Sequence, residues 1–326
     1  MALNKEIAHF FWHGVLTKME EVCIQSFVKN GFDVRLWSFT GLEVEGATSC
    51  DARLVLPEED LMKYKYRVGP LATEGDNEHV SITAFCEAFR LHVIDKFDGW
   101  WFDADCFCMK SEEEFRKLRE GKRLVSGLMT FNQDIRANGA VMYADVETKT
   151  KLINKLNSLC EYYDYSFPQW GVIGPDLVDL FVLEENLYEE LSPSDVFYPI
   201  HFLEMDYFTD PGFLIRAKAR IKNSYVLHLW HTQHFLGNVN KIDENSTSLI
   251  QEIYNGTYTD NVRPDTVIKR WYADKRKRYV DICKLYNEVL QRSPDRDGMI
   301  HYYSGNLPIS HIKDIFINSE EYKNLQ

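Results

Sequence analysis

The sequence predicts an α/β protein with its ligand site at the carboxyl ends of parallel strands. Two observations carry this. Near the start, a short apolar strand, an amphipathic helix and a second strand follow one another as a βαβ unit. Further on, the wholly apolar run Trp100-Trp101-Phe102 ends abruptly in Asp103-Ala104-Asp105. A third observation sets off the far end of the chain. From Pro264 on, 11 lysines and arginines stand against 9 acidic residues, a charge of +2, so the rest carries −15 and the whole chain −13.

Taken in order, Ile7 to Trp12 reads as a strand closed by Gly14. Thr17 and Glu20 form a capping box for a helix whose face is Met19, Val22, Cys23, Ser26 and Phe27, stopped by Gly31. Asp33 to Phe39 is the second strand. Glu43 to Glu78 is irregular and polar, with a helical piece over Glu58 to Tyr66. Ile82, Phe85, Phe89 and Val93 recur at the helical period up to the break at Asp98-Gly99, where the aromatic strand begins. Ser111 and Glu114 cap another helix, ending near Gly121. Leu124 to Gly127 and Gly139 to Tyr143 are expected as strands flanking a loop over Phe131 to Asn138. Helices are expected over Lys149 to Tyr163 and Asp176 to Leu187, and late strands over Asp195 to Pro199 and Tyr225 to Trp230. Residues 237–264 are polar and turn-rich, a tail and linker. Beyond them, residues 265–326 form a small helical domain with a long helix to Leu290 and short helices over Ile309 to Phe316 and Glu320 to Leu325.

With 326 residues, 45% apolar and 14% aromatic, the chain can bury a large core. An acidic body excludes nucleic acid as the expected partner, so attraction for a phosphorylated ligand has to be local. Seven cysteines without zinc-type spacing are expected as buried thiols in a reducing compartment. No apolar run is long enough to span a bilayer, and the N-terminus lacks the apolar core of a signal peptide. A cytoplasmic protein, at most peripheral to a membrane, is the expectation.

Two carboxylates one residue apart at the end of a buried strand are costly unless a cation sits between them. A divalent ion held by Asp103 and Asp105 would in turn grip a diphosphate. His228, at the end of the apolar run Tyr225 to Trp230, is either a core histidine or a third ligand, and an imidazole would favour Mn²⁺ over Mg²⁺. Glu87 and Arg90 are one helical turn apart. They read as a surface ion pair or, if partly buried beside the acidic strand, as groups for sugar hydroxyls and phosphate oxygens. Trp12, with Phe11 and His13 at the first strand's carboxyl end, is either core or a platform for a base. Asn138 is a turn residue or part of the site, and Cys106 and Cys108 read as packing.

The motifs His9 to Gly14, Phe85 to Arg90 followed by Asp98 to Cys106, Asn138-Gly139-Ala140, Trp170 to Pro175, Phe197-Tyr198-Pro199 and His228 to His231 occur in that order. Together they resemble family 32 type D-x-D glycosyltransferases, the capsule- and lipopolysaccharide-type sugar transferases. More distantly they are similar to the glucosyltransferase domain of large clostridial cytotoxins. The resemblance covers about residues 7 to 236.

It implies a GT-A, Rossmann-like nucleotide-sugar-binding domain and retaining transfer of a hexose from a nucleoside-diphosphate sugar, UDP favoured over GDP, to a glycan or lipid-linked glycan. Carried over, Asp103, Asp105 and His228 lie at Mn²⁺, or alternatively Mg²⁺. Arg90 and Asn138 join the two aspartates as catalytic residues. Phe11, Trp12, His13, Glu87, Arg90, Trp101, Asn138 and His231 fall on the donor side. Where the family has Ser-Asp before the arginine, this chain has Cys86-Glu87, one methylene longer. The C-terminal segment resembles a small helical domain of unknown function, a candidate for interaction or oligomerisation. The alternatives are a non-catalytic sugar-nucleotide or glycan-binding protein of the same fold, and a metal-dependent phosphohydrolase. The second lacks the further His and Asp ligands of a two-metal site.

Overall fold

The computed structural model describes residues 5–67, 79–131, 134–231, 248–258, 264–304 and 307–326. Its elements run β1 (Ile7–Phe11), α1 (Lys18–Lys29), β2 (Asp33–Ser38), β3 (Thr48–Asp51), β4 (Lys65–Tyr66), β5 (His79–Val80), α2 (Ile82–Phe97), β6 (Trp100–Phe102), β7 (Cys106–Cys108) and α3 (Glu112–Arg119). They continue with β8 (Leu124–Phe131), β9 (Asp134–Ala144), α4 (Val146–Tyr163), β10 (Ser166–Phe167), α5 (Pro175–Glu184), α6 (Ser194–Phe197), α7 (Asp206–Thr209), α8 (Leu214–Ile221) and β11 (Val226–His228). The chain then ends in helices over Leu249–Tyr254, Pro264–Leu290, Arg296–Ser304, Ile309–Asn318 and Glu320–Lys323.

Two compact units divide the chain: residues 1–199 with 223–229, and residues 200–222 with 230–326. The first is an α/β unit built on a six-stranded sheet of order β3-β2-β1-β6-β9-β8. β3, β2, β1 and β6 are parallel, and β9 runs antiparallel to β6 and β8. Side chains alternate across the parallel strands. Phe10 packs on Phe27 of α1 at 5.0 Å, while its neighbour Phe11 packs on Phe89 of α2 at 4.5 Å. Trp100 and Phe102 meet Phe115 of α3, and Trp101 between them faces Phe89. A strand covered on both faces has to be apolar throughout, which is why β6 shows no polar alternation.

The expected capping boxes form: Thr17 with Glu20 before α1 and Ser111 with Glu114 before α3. Asp98 and Gly99 both take positive φ, 55° and 99°, and turn the chain from α2 into β6. A Cβ on Gly99 would meet the Ile7 carbonyl oxygen at 2.8 Å, so the turn needs glycine for space as well as for φ.

Three expectations are corrected. The segment Asp195 to Pro199 is not a strand but the helical turn α6. The alternation of Val196, Phe197 and Tyr198 suits either element, and the short helix is what places Phe197 and Tyr198 over Gly127. The expected loop up to Asn138 belongs, over residues 134–138, to strand β9, which pairs with β8 from Phe131↔Asp134 to Leu124↔Ala144. Residues 132 and 133 lie outside the described residues. Glu58 to Tyr66 is a 3₁₀ turn over Glu58–Met62 followed by strand β4, because Tyr66 pairs with β5 and β10.

The second unit is helical. Ile282, Leu285, Tyr286, Val289, Leu290, Ile312 and Phe316 make a core of their own. Arg278 donates to the carbonyls of Tyr302, Tyr303 and Leu307 at 2.7, 3.2 and 3.0 Å, closing the end of helix Arg296–Ser304. The segment expected as a tail and linker holds, in its described part, a helix with Leu249 and Ile250 fully buried. Residues 232–247 and 259–263 lie outside the described residues.

Candidate functional site

β1 sits between β2 and β6, so the sheet changes winding direction between β1 and β6, where an open α/β sheet leaves a crevice. Trp12 follows the carboxyl end of β1, and Asp103 follows that of β6. Asp103 is tied to β9 by its amide, which donates to Ala140 O at 2.8 Å, and a turn follows in which the Cys106 amide donates to Asp103 O at 3.0 Å. The turn leads into β7, which pairs with β11 in antiparallel register, Cys106 opposite His228. The Leu229 amide donates to Asp105 O at 2.9 Å. His228, far off in sequence, is thereby fixed beside both aspartates. Its Nε2 lies 3.3 Å from Asp105 Oδ1 and 4.0 Å from Asp103 Oδ2.

Asp103 is held from behind. Its Oδ1 accepts from Arg90 Nη2 at 2.9 Å and from the Trp101 indole at 2.6 Å. Arg90 Nη1 donates to Glu87 Oε2 at 2.6 Å, and its guanidinium lies 5.6 Å from the Trp101 ring. Glu87 and Arg90 are 7% and 4% exposed, a buried pair and not the surface pair their spacing suggests. Two glycines make the room. A Cβ on Gly139 would fall on Arg90 Nη1, and one on Gly174 would fall on the Glu87 carboxylate.

Burial works against every charge here, and the partners decide the outcome. Burial would raise Asp103, but Arg90, His228 and Trp101 hold it well below the usual carboxylate range. Burial would lower His228, yet Asp105 and Asp103 keep it above the ordinary imidazole value. Glu87 is pushed up to about 6 by burial, against the pull of Arg90. Arg90 stays protonated between its two carboxylates.

The other sequence-predicted residues stand as follows. Phe11 is core, packed among Phe39, Phe85 and Phe89. Trp12 is half-buried with its indole donating to Val15 O at 3.1 Å, and His13 is exposed. Asn138 turns its Oδ1 back to the Ala140 amide at 2.8 Å, and its carbonyl accepts from the Tyr198 and Ser126 hydroxyls. His231 lies in the second unit.

The sequence reading missed two participants. The Tyr198 hydroxyl donates to Asn138 O at 3.0 Å, and its ring packs edge-on against His228 at 5.9 Å. Cys106, read as packing, has its sulfur within 4.8 Å of donor atoms on both Asp105 and His228. Cys106 is placed by register between distant strands and Tyr198 by the helical turn α6 packing over Gly127, and no local spacing reveals either. Two carboxylates and an imidazole converging at a strand end are a donor set that fits a divalent ion.

Fold and site together define an α/β protein with a candidate cation site at the carboxyl ends of its parallel strands. Comparison with known proteins adds the chemistry. Residues 152–257 match the family model described as the alpha 1,4-glycosyltransferase conserved region, about a third of the chain, which supports glycosyl transfer as the general class of activity. No curated protein matches the sequence. Among solved structures, the PaToxG glycosyltransferase is similar at 14% identity and TM-score 0.35, over 78% of this chain and 85% of that one. The apo-form glycosyltransferase GlyE of Streptococcus pneumoniae TIGR4 is similar at 12% identity and TM-score 0.40, over 83% of this chain and 64% of that one.

Proposed function

We propose that the chain is a metal-dependent, retaining glycosyltransferase that moves a hexose from a nucleoside-diphosphate sugar to a glycan or lipid-linked glycan hydroxyl. UDP is favoured over GDP as the nucleotide. The observation that carries this reading is the convergence of Asp103, Asp105 and His228 at the strand ends, backed by Arg90. Asp103, Asp105 and His228 would hold Mn²⁺, with Mg²⁺ as the alternative. A bound ion would supply charge neutralisation at the departing diphosphate.

The protein's own residues do the remaining work. Arg90 and the Trp101 indole lock one oxygen of Asp103, so the other oxygen is presented in a fixed direction. Glu87 holds Arg90 in place, and Asn138, tied by Tyr198, shapes the wall on the sugar side. Trp12, next to His13 in the sequence, offers an aromatic face for the base. Tyr198 is bonded to backbone, and the site aspartates serve as ligands. Among the described residues none is therefore assigned as a covalent nucleophile. Front-face displacement follows, the acceptor hydroxyl passing its proton to the departing phosphate. A cytoplasmic location and an interaction or oligomerisation role for the C-terminal helices complete the proposal.

Calorimetry with a panel of nucleoside-diphosphate sugars tests the ligand set. Wild type binds one of them only with Mn²⁺ present, and Asp105→Ala, still folded by circular dichroism, binds none. Undiminished binding in the folded variant overturns the assignment.

A further inference from the structure

Cys106 brings sulfur to a site read so far as oxygen and nitrogen. It faces His228 directly across the β7–β11 pair, and opposed residues of an antiparallel pair share a face. Donor atoms of Asp105, Cys106 and His228 all lie within 4.8 Å of one another. The 3.3 Å between Asp105 Oδ1 and His228 Nε2 matches the spacing, about 3.3 Å, of an oxygen and a nitrogen each about 2.0 Å from a tetrahedral ion. Cys106 is fully buried and His228 nearly so. The trio therefore makes a water-poor set of one carboxylate, one imidazole and one sulfur, fixed by strand pairing. Asp103 Oδ2, 4.0 Å from His228 Nε2, stands where a fourth ligand would come from.

A thiolate favours soft and borderline cations and gives hard ones little, while oxygen donors suit manganese and magnesium. We propose that Asp105, Cys106 and His228 form a Zn²⁺ site that overlaps the Mn²⁺ position, so that zinc competes with manganese. With Asp103 completing a four-coordinate shell, a bound zinc has no position left for a diphosphate. The site then takes two metals with opposite consequences: an open, oxygen-rich manganese form and a closed, sulfur-ligated zinc form. The inference rests on the reading of Asp103 and Asp105 as the donor-cation site.

The test uses the full-length protein and metals alone. Cobalt(II), standing in for zinc, reports a sulfur ligand through a thiolate-to-metal charge-transfer absorption in the near ultraviolet. Wild type is expected to show this band and the strong visible bands of four-coordinate cobalt. Zinc is expected to displace Mn²⁺ stoichiometrically, followed by the electron paramagnetic resonance of released Mn²⁺. Cys106→Ser is expected to lose the band and to bind Zn²⁺ more weakly by about tenfold or more, with Mn²⁺ affinity within about twofold of wild type. Cys106→Ala serves the same purpose if the serine does not fold, and His228→Gln should weaken both metals. A band that persists without Cys106 comes from another of the seven cysteines and overturns the proposal. So does wild-type cobalt without a band. Zinc binding with the band but no Mn²⁺ binding at all leaves the zinc site standing and removes the donor-cation reading instead.

Discussion

Arg90 stands between two acids, and its fork makes the arrangement possible. One guanidinium nitrogen meets Glu87 and the other meets Asp103, with Glu87 and Arg90 buried and Asp103 partly so. A lysine ammonium is a single point and cannot hold both carboxylates at those positions. Arg90→Lys keeps the charge but leaves one carboxylate without its hydrogen bond, so it is expected to destabilise the fold by about 1–3 kcal/mol and to lose donor binding. Gly139→Ala attacks the same contact from the other side, since its Cβ occupies the position of Nη1. Denaturant melts of both variants, alongside donor titrations, check this. Melting and binding like wild type in both would show that the charge triangle does not organise the site. The sequence shows Glu87 and Arg90 only as an i, i+3 pair, which is also the pattern of an exposed helix. What buries them is Gly139 on β9 and Gly174 before α5, and those neighbours exist only after folding.

At the scale of elements, β1 carries an acid-sensitive residue away from the site. His9 is fully buried, its Nδ1 accepting from the Trp37 indole of β2 at 3.1 Å and its Nε2 donating to Asp98 O at 2.5 Å. Both nitrogens are satisfied in the neutral ring, and protonation would set an N–H against an N–H. Burial lowers His9 to about 4 from its ordinary 6.5. Between those values the unfolded chain takes up a proton that the folded one refuses, so stability falls as pH falls from 6.5 toward 4, by about 3 kcal/mol. Glu87, raised to about 6, acts with the opposite sign in part of the same window. The measurement is thus a comparison: urea midpoints of wild type and His9→Gln from pH 7 to pH 4. The histidine protein should lose stability more steeply, and parallel curves would rule out His9 as the cause. Elements whose partners are close in sequence were legible in this way. The βαβ start, both capping boxes and the aromatic strand β6 follow from period and caps. α6 was not, since Phe197 and Tyr198 are placed by Gly127 on another strand, and neither was Cys106, whose meaning depends on a register with β11.

At the scale of the whole molecule, a net charge of −13 has to coexist with the diphosphate of the proposed donor. Long-range steering opposes such a ligand, so attraction has to come from the site itself. Arg90 is committed to Glu87 and Asp103, and in the proposed function a divalent ion at Asp103, Asp105 and His228 would supply the positive charge. The helical unit keeps its own core around Tyr286 and Phe316, and the proposed ligands all lie in the α/β unit. If the cation supplies the attraction, removing it should abolish turnover even at saturating donor. The most direct measurement is release of nucleoside diphosphate from a nucleoside-diphosphate sugar by the full-length protein, with Mn²⁺ and with the metal chelated. Release is expected with Mn²⁺, none after chelation, and recovery when Mn²⁺ is restored. Release that is unaffected by chelation would contradict the proposed metal dependence.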